Sequence, residues 1–213
     1  MKLEGMKINF LGDSITEGAG VSCQENIYWN VLKREYGLFA ARGYGIGGTR
    51  IARKTEPSEC AIWDRDYIQR IPEMDEDADV VVVFGGTNDY GHGDAPMGEF
   101  CDRTPYTFYG ACHLLFEGLI ERFPDATIVA MTPLHRLDDH VARPGFEPLI
   151  SYVNAIKEVA AYYSVPVLNL WSVSGIQPNV PVLKEKLCPD GLHPNDAGHR
   201  LIASRLAGFI GSL

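Results

Sequence analysis

The sequence predicts an α/β fold, a parallel sheet with helices on both faces. Three observations lead there. Short apolar runs alternate with amphipathic stretches along the 213 residues. The run Val80-Val81-Val82-Val83-Phe84 is β-branched and apolar on both faces, as a central parallel strand must be. Glycine-rich turns follow three of the apolar runs, at the strand ends where open α/β sheets bind their ligands.

Strand one is read over Lys7 to Leu11, and a helix over Glu25 to Tyr36 with Tyr28, Trp29, Leu32 and Tyr36 at helical spacing. Gly37 to Arg42 reads as strand two, and residues 61–71 as a short helix stopped by Pro72. Strand three is Val80 to Phe84. The Gly- and Asp-rich stretch from Tyr90 to Pro105 reads as a long loop. A helix over residues 106–123 buries Phe108, Cys112, Leu115, Phe116, Leu119 and Phe123. Strand four spans Thr127 to Met131, the next helix 147–163, and strand five Pro166 to Leu170. A Pro- and Ser-containing loop leads to a last helix from Pro194 to Ile210, with Ala197, Leu201, Ile202, Leu206, Phe209 and Ile210 inward.

Length and composition fit one domain over residues 1–213, with 46% hydrophobic residues for a core. A net charge of −9 argues against a nucleic-acid partner, which calls for a basic face. Five scattered cysteines without a Cys-x-x-Cys pair suggest neither a disulfide framework nor a zinc site. Reduced thiols and an N-terminus without an apolar leader point to the cytoplasm. No apolar run reaches the roughly 20 residues that span a bilayer, so no integral membrane association is expected.

Four loops carry residues that fit one chemistry. Gly12-Asp13-Ser14-Ile15-Thr16-Glu17-Gly18 places a serine at the end of strand one. A serine hydroxyl is a poor nucleophile at neutral pH and needs a base within reach. In Asp190-Gly191-Leu192-His193-Pro194, His193 supplies that base, and Asp190 fixes its tautomer within one turn. Pro194 biases His193 away from helical geometry. Backbone N–H groups of Ser14 and Gly48 and the side chain of Asn88 are the candidate donors for an oxyanion. Candidate substrate contacts are Asp13, Thr87, Tyr90, His135 and Arg136.

With these blocks in view, the sequence resembles the SGNH-type (GDSL) hydrolases. Gly12-Asp13-Ser14 matches their first block and Gly45-Ile46-Gly47-Gly48 resembles the second. Gly86-Thr87-Asn88-Asp89 matches the third and Asp190-Gly191-Leu192-His193 the fifth. One departure is Gly43, where many relatives carry Asn. The resemblance implies a flavodoxin-like three-layer α/β/α sandwich with strand order 2-1-3-4-5. It also implies ester hydrolysis through a covalent acyl-enzyme, with no metal and no organic cofactor. The Gly-x-Ser-x-Gly elbow of the α/β-hydrolases is absent.

The expected substrate is a small or short-chain acyl ester, such as an O-acetyl group on a carbohydrate. A lipid-directed acylhydrolase, a lysophospholipase or a thioesterase would use the same residues. Outside catalysis, a flavodoxin-like protein could cradle a phosphate on the Ser14-Ile15-Thr16 turn, and a silent relative could bind carbohydrate. The phosphate reading leaves Asn88, Asp190 and His193 without a role. Asp89 reads as a turn stabiliser. His92, His113, His140 and His199, and Trp29, Trp63 and Trp171, read as surface, packing or rim residues.

Overall fold

The five strands form one all-parallel sheet in the order β2-β1-β3-β4-β5: β1 (Lys7–Gly12), β2 (Ala40–Gly45), β3 (Val80–Phe84), β4 (Thr127–Met131) and β5 (Val167–Leu168). This is a computed structural model, and it describes residues 1–213. The strand order is the one the family resemblance implies. Strand register sets the carboxyl ends level: Gly12 pairs with both Gly45 and Phe84, Phe84 with Met131, and Met131 with Leu168. The loops that leave these residues therefore share one rim.

Alternation along the strands separates two cores. Leu11, Val81, Val83, Ile128 and Ala130 face a core built with α5 (Phe108–Arg122) and α6 (Leu149–Tyr162). Ile8, Phe10, Val80, Val82, Val129 and Met131 face the other, built with α2 (Tyr28–Tyr36) and α9 (Asp196–Ser212). The connection after β1 thus runs over one face and the helix before β4 over the opposite one. The crevice between the ends of β1 and β3 is the topological switch point of the sheet.

Several boundaries differ from the sequence reading. Strand two is Ala40–Gly45 rather than 37–42, because Gly37 closes α2 in a left-handed conformation and the parallel register begins at Lys7↔Ala40. As a half-buried edge strand it lacks the apolar run that marks the others. The helix read from Glu25 starts as a 3₁₀ turn (Gln24–Asn26) and becomes α-helical only at Tyr28. Residues 61–71 are broken into a 3₁₀ turn (Ala61–Asp64) and α3 (Tyr67–Arg70), since the Asp66 side chain caps a new start. Pro72 sits inside the next 3₁₀ turn, Ile71–Glu73.

The loop read from Tyr90 begins only at Gly93, because α4 (Thr87–His92) occupies its first residues. Strand five is two residues long and gives way to α7 (Leu170–Val173). The following loop contains α8 (Pro181–Leu187), whose polar Lys184-Glu185-Lys186 run hides its apolar periodicity. Asn195 caps α9 by accepting from Ala197 N and Gly198 N, so Pro194 lies ahead of the helix and Ala197 faces solvent in its first turn. No helix is long and apolar enough to cross a membrane.

Candidate active site

Ser14 opens α1 (Ser14–Glu17), a single helical turn entered directly from β1. Asp13 caps that turn, its carboxylate accepting from Ile15 N at 3.0 Å. The Ser14 hydroxyl donates to His193 Nε2 at 3.0 Å, and His193 Nδ1 donates to Asp190 Oδ2 at 2.7 Å. The second bond orders the first. An ionised carboxylate only accepts, so the ring proton stays on Nδ1 and Nε2 is left as an acceptor.

Asp190 is oriented by the same turn. Its Oδ1 accepts from Leu192 N at 2.8 Å and His193 N at 2.7 Å. Burial pushes the Asp190 carboxyl up. These two N–H groups and the His193 ring outweigh burial and hold it below the usual carboxylate range. The turn is pinned in place by Leu137 N, which donates to Gly191 O at 2.8 Å.

Opposite His193 lies the loop after β2. Gly48 has φ +75°, and a Cβ there would stand 3.0 Å from the Trp63 indole, so both the backbone and the packing require glycine. Its N–H has no partner within the fold. The Ser14 N–H belongs to a first helical turn, where no intrahelical acceptor exists. Asn88, in α4, donates through Nδ2 to Thr49 O at 2.9 Å and keeps a second amide proton free.

This loop is clamped by buried charges. Asp89 accepts from Ile51 N at 3.1 Å and Ala52 N at 2.8 Å, so it ties α4 to a distant loop rather than stabilising its own turn. Burial raises the Asp89 carboxyl to about 6 against those bonds. Arg50, only 2% exposed, donates to Gly48 O at 3.3 Å, Trp63 O at 2.9 Å and Asp64 Oδ1 at 2.9 Å. Glu17 accepts from Gly47 N at 2.9 Å. At Gly43 the Trp29 indole lies 2.6 Å from the place a Cβ would take, so a side chain has no room.

Ser14, Gly48, Asn88 and His193 line one open cavity of about 670 Å³. Trp63, 41% exposed, forms part of its wall, and Pro57 and Leu192 are its other apolar side chains. The sequence reading missed Trp63, Lys54, His92 and Leu192 as lining residues. Leu192 sits inside the Asp190–Pro194 block without a chemical role of its own, and no local motif marks the others: Lys54 comes from the loop after β2, Trp63 from the 3₁₀ turn Ala61–Asp64 and His92 from the end of α4.

Of the five candidate substrate contacts, only Arg136 lines this cavity. Thr87 is buried, and its carbonyl and Oγ1 each accept from Arg136 Nη1 at 3.2 Å. The Tyr90 hydroxyl lies 2.6 Å from Asp138 O and 2.8 Å from Val141 O. His135 faces Asp139 Oδ2 at 2.6 Å, and its ring lies 3.7 Å from that of Trp171. Asp13 and His135 border a second void of about 10 Å³, with Ile15, Thr87, Pro133 and Leu192 among its walls. That void holds a water-sized group and nothing larger.

Burial pushes the Asp13 carboxyl up to about 6 from 3.8, against the Ile15 N–H, the nearby His193 ring and the Arg70 charge. A carboxyl raised on folding stabilises the native state fully below its unfolded pKa and loses that contribution as pH rises through the folded one. We therefore expect the stability of Asp13→Asn relative to wild type to rise by roughly 3 kcal/mol between pH 4 and pH 7 and then to level off. Urea unfolding of both proteins across that range checks it. A pH-independent difference would show that Asp13 ionises normally in the native state.

The model of the GDSL-like lipase/acylhydrolase family matches residues 10–201, a span that includes every loop of the site. The chain belongs to that family. Membership in the acylhydrolases carries ester hydrolysis as its activity class. Over 208 residues the chain is 26% identical to a GDSL lipase of Mycobacterium tuberculosis, covering 94% of this chain and 79% of that one. A crystal structure of a protein from Lactobacillus plantarum superposes with a TM-score of 0.84 at 31% identity, over 98% of each chain. An acetyl xylan esterase shares the fold, with a TM-score of 0.65 at 22% identity over 95% of this chain and 98% of that one.

Proposed function

We propose that this acylhydrolase is a serine esterase that forms an acyl-enzyme on Ser14. The observation that carries the reading is the relay from Ser14 Oγ to His193 Nε2 and from His193 Nδ1 to Asp190, at 3.0 Å and 2.7 Å, on the wall of the large cavity. His193 takes the hydroxyl proton as Ser14 attacks the ester carbonyl. Asp190 stabilises the imidazolium that results. The N–H groups of Ser14 and Gly48 and the free amide proton of Asn88 receive the developing oxyanion. His193 then protonates the departing alcohol, and the cycle repeats with water as the nucleophile.

The cavity supports a short acyl group on a polar alcohol. A long alkyl tail in it would lie against Lys54, Ser58, Glu59 and His92. The exposed Trp63 ring offers a flat apolar face of the kind a sugar ring stacks on, so an O-acetylated carbohydrate fits the wall. The phosphate-cradle reading has a specific obstacle: the Asp13 carboxylate already occupies the N-terminus of α1.

Labelling with a fluorophosphonate, read by intact mass, tests the nucleophile. One adduct per chain, mapped to Ser14 and absent from Ser14→Ala, is expected, together with hydrolysis of p-nitrophenyl acetate that declines towards the palmitate. Labelling and turnover that persist in Ser14→Ala would overturn the reading.

A further inference from the structure

The large cavity has a charge opposite to that of the chain. The protein carries a net charge of −9, yet two permanent cations, Lys54 and Arg136, line the cavity and Glu59 is its only carboxylate. Neither cation has an ion-pair partner. Lys54 Nζ reaches no closer group than Ser58 Oγ at 3.5 Å.

Arg136 is the more telling of the two. Its Nη1 donates to Thr87 O and Thr87 Oγ1 at 3.2 Å, and its guanidinium lies 5.4 Å from the centre of the Tyr90 ring. Nε and Nη2 donate to nothing in the protein. The other arginine at this site, Arg50, donates to two carbonyls, Asp64 and His92, and its one unpartnered nitrogen, Nε, is buried. Arg70, also buried, donates to Tyr44 O, Gly12 O and Thr49 Oγ1 and keeps only a buried Nε unpartnered. Nε and Nη2 of Arg136 are not sealed from solvent, so one edge of a half-buried guanidinium held in a fixed pose stays free to pair with a ligand. Its geometry matches a planar carboxylate or a phosphate.

His92 adds a neutral donor on the same wall. Burial, with the Arg50 and Lys54 charges nearby, pushes its pKa down to about 4. Its Nδ1 accepts from Arg50 Nη1 at 3.0 Å, which leaves Nε2–H as the free donor.

We infer that the esters this site selects carry an anionic group, bound by the free edge of Arg136 with Lys54 as the second cation of the cavity. The inference rests on the serine-esterase reading for its reaction and on Arg136 for its specificity. The anion can arrive on the alcohol, as in an acetylated acid, or on the acyl group, as in a half-ester of a dicarboxylic acid.

Two matched pairs separate these sources: 4-acetoxybenzoate against methyl 4-acetoxybenzoate, and phenyl hydrogen adipate against phenyl methyl adipate. In at least one pair, kcat/KM of wild type should favour the charged ester by about tenfold or more. That ratio should collapse in Arg136→Gln, be largely kept in Arg136→Lys, and shrink with added salt. No preference in either pair overturns the inference. So does a loss in Arg136→Gln that is equal for charged and neutral esters, which is what a merely structural role would give.

Calorimetry on Ser14→Ala keeps the two readings apart. Charged esters that bind this variant tenfold tighter than their neutral partners, through Arg136, would sustain the anion site even if wild type cleaved none of them and the esterase reading fell. Equal binding of charged and neutral esters overturns the anion site whether or not wild type turns them over.

Discussion

Ser14→Ala and His193→Ala should each lower kcat on p-nitrophenyl acetate by about 10⁴-fold or more, and the double variant should lose no more than the worse single one. The two side chains act on one proton, so removing either leaves the other without a task. Binding and the oxyanion donors would remain, which is why the loss stops short of the uncatalysed rate. Asp190→Asn should cost less, about 10⁴-fold against a ceiling of about 10⁶-fold for the nucleophile or the base. Asn can still accept from Leu192 N and His193 N, but it no longer dictates which ring nitrogen carries the proton. Steady-state and burst kinetics on the three single variants and the double variant settle it. A double variant that falls a further hundredfold would mean that Ser14 and His193 work independently.

Gly45→Ala should strike both stability and activity. A Cβ at residue 45 would stand 2.2 Å from Glu17 N and 2.5 Å from Thr16 C. Those are backbone atoms of α1, which have no rotamer to give. The expected cost is about 3 kcal/mol or more, a fall in Tm of about 6–12 °C for a chain of this size. Activity should suffer separately. Relief requires α1 to move off β2, and Ser14 moves with it away from His193. A displacement of about 1 Å at a nucleophile lowers turnover by about 10²-fold. Differential scanning calorimetry and activity measured well below Tm check both halves. A native-like Tm would show that β2 and α1 are not in the contact described.

The sheet was legible because its central strands are buried on both faces. Val80–Phe84 can be little else, and Thr127–Met131 is bounded by a proline-containing turn on one side and an apolar helix on the other. Legibility fell at the edges. β2 is half-buried and glycine-rich, so its pattern slid by three residues. β5 is too short to have a pattern. Within the site, the residues carried by motifs stood out because nucleophile, base and orienting carboxylate need particular chemistry at particular spacing. Trp63, Lys54 and His92 did not, since their proximity to Ser14 is made by tertiary contacts through Arg50 and Asp89. Of the five candidate substrate contacts, Thr87 and Tyr90 were drawn from the right helix, but their polar atoms are consumed by Arg136 and by the loop carbonyls of Asp138 and Val141.

Arg50 has a consequence for how such an enzyme can change over generations. One guanidinium holds the carbonyl of Gly48, whose N–H has no partner within the fold, and the carbonyl of Trp63, which walls the cavity. A mutation that shifts the Trp63 wall to admit a new substrate therefore pulls on the donor at Gly48 through the same cation. Breadth of substrate and speed of turnover are inherited together on this side of the cleft. The opposite side is coupled in a different way: Leu137 N holds Gly191 O and Leu192 N holds Asp190, so a shift of the Arg136 loop reaches the base through its carboxylate rather than the donor at Gly48.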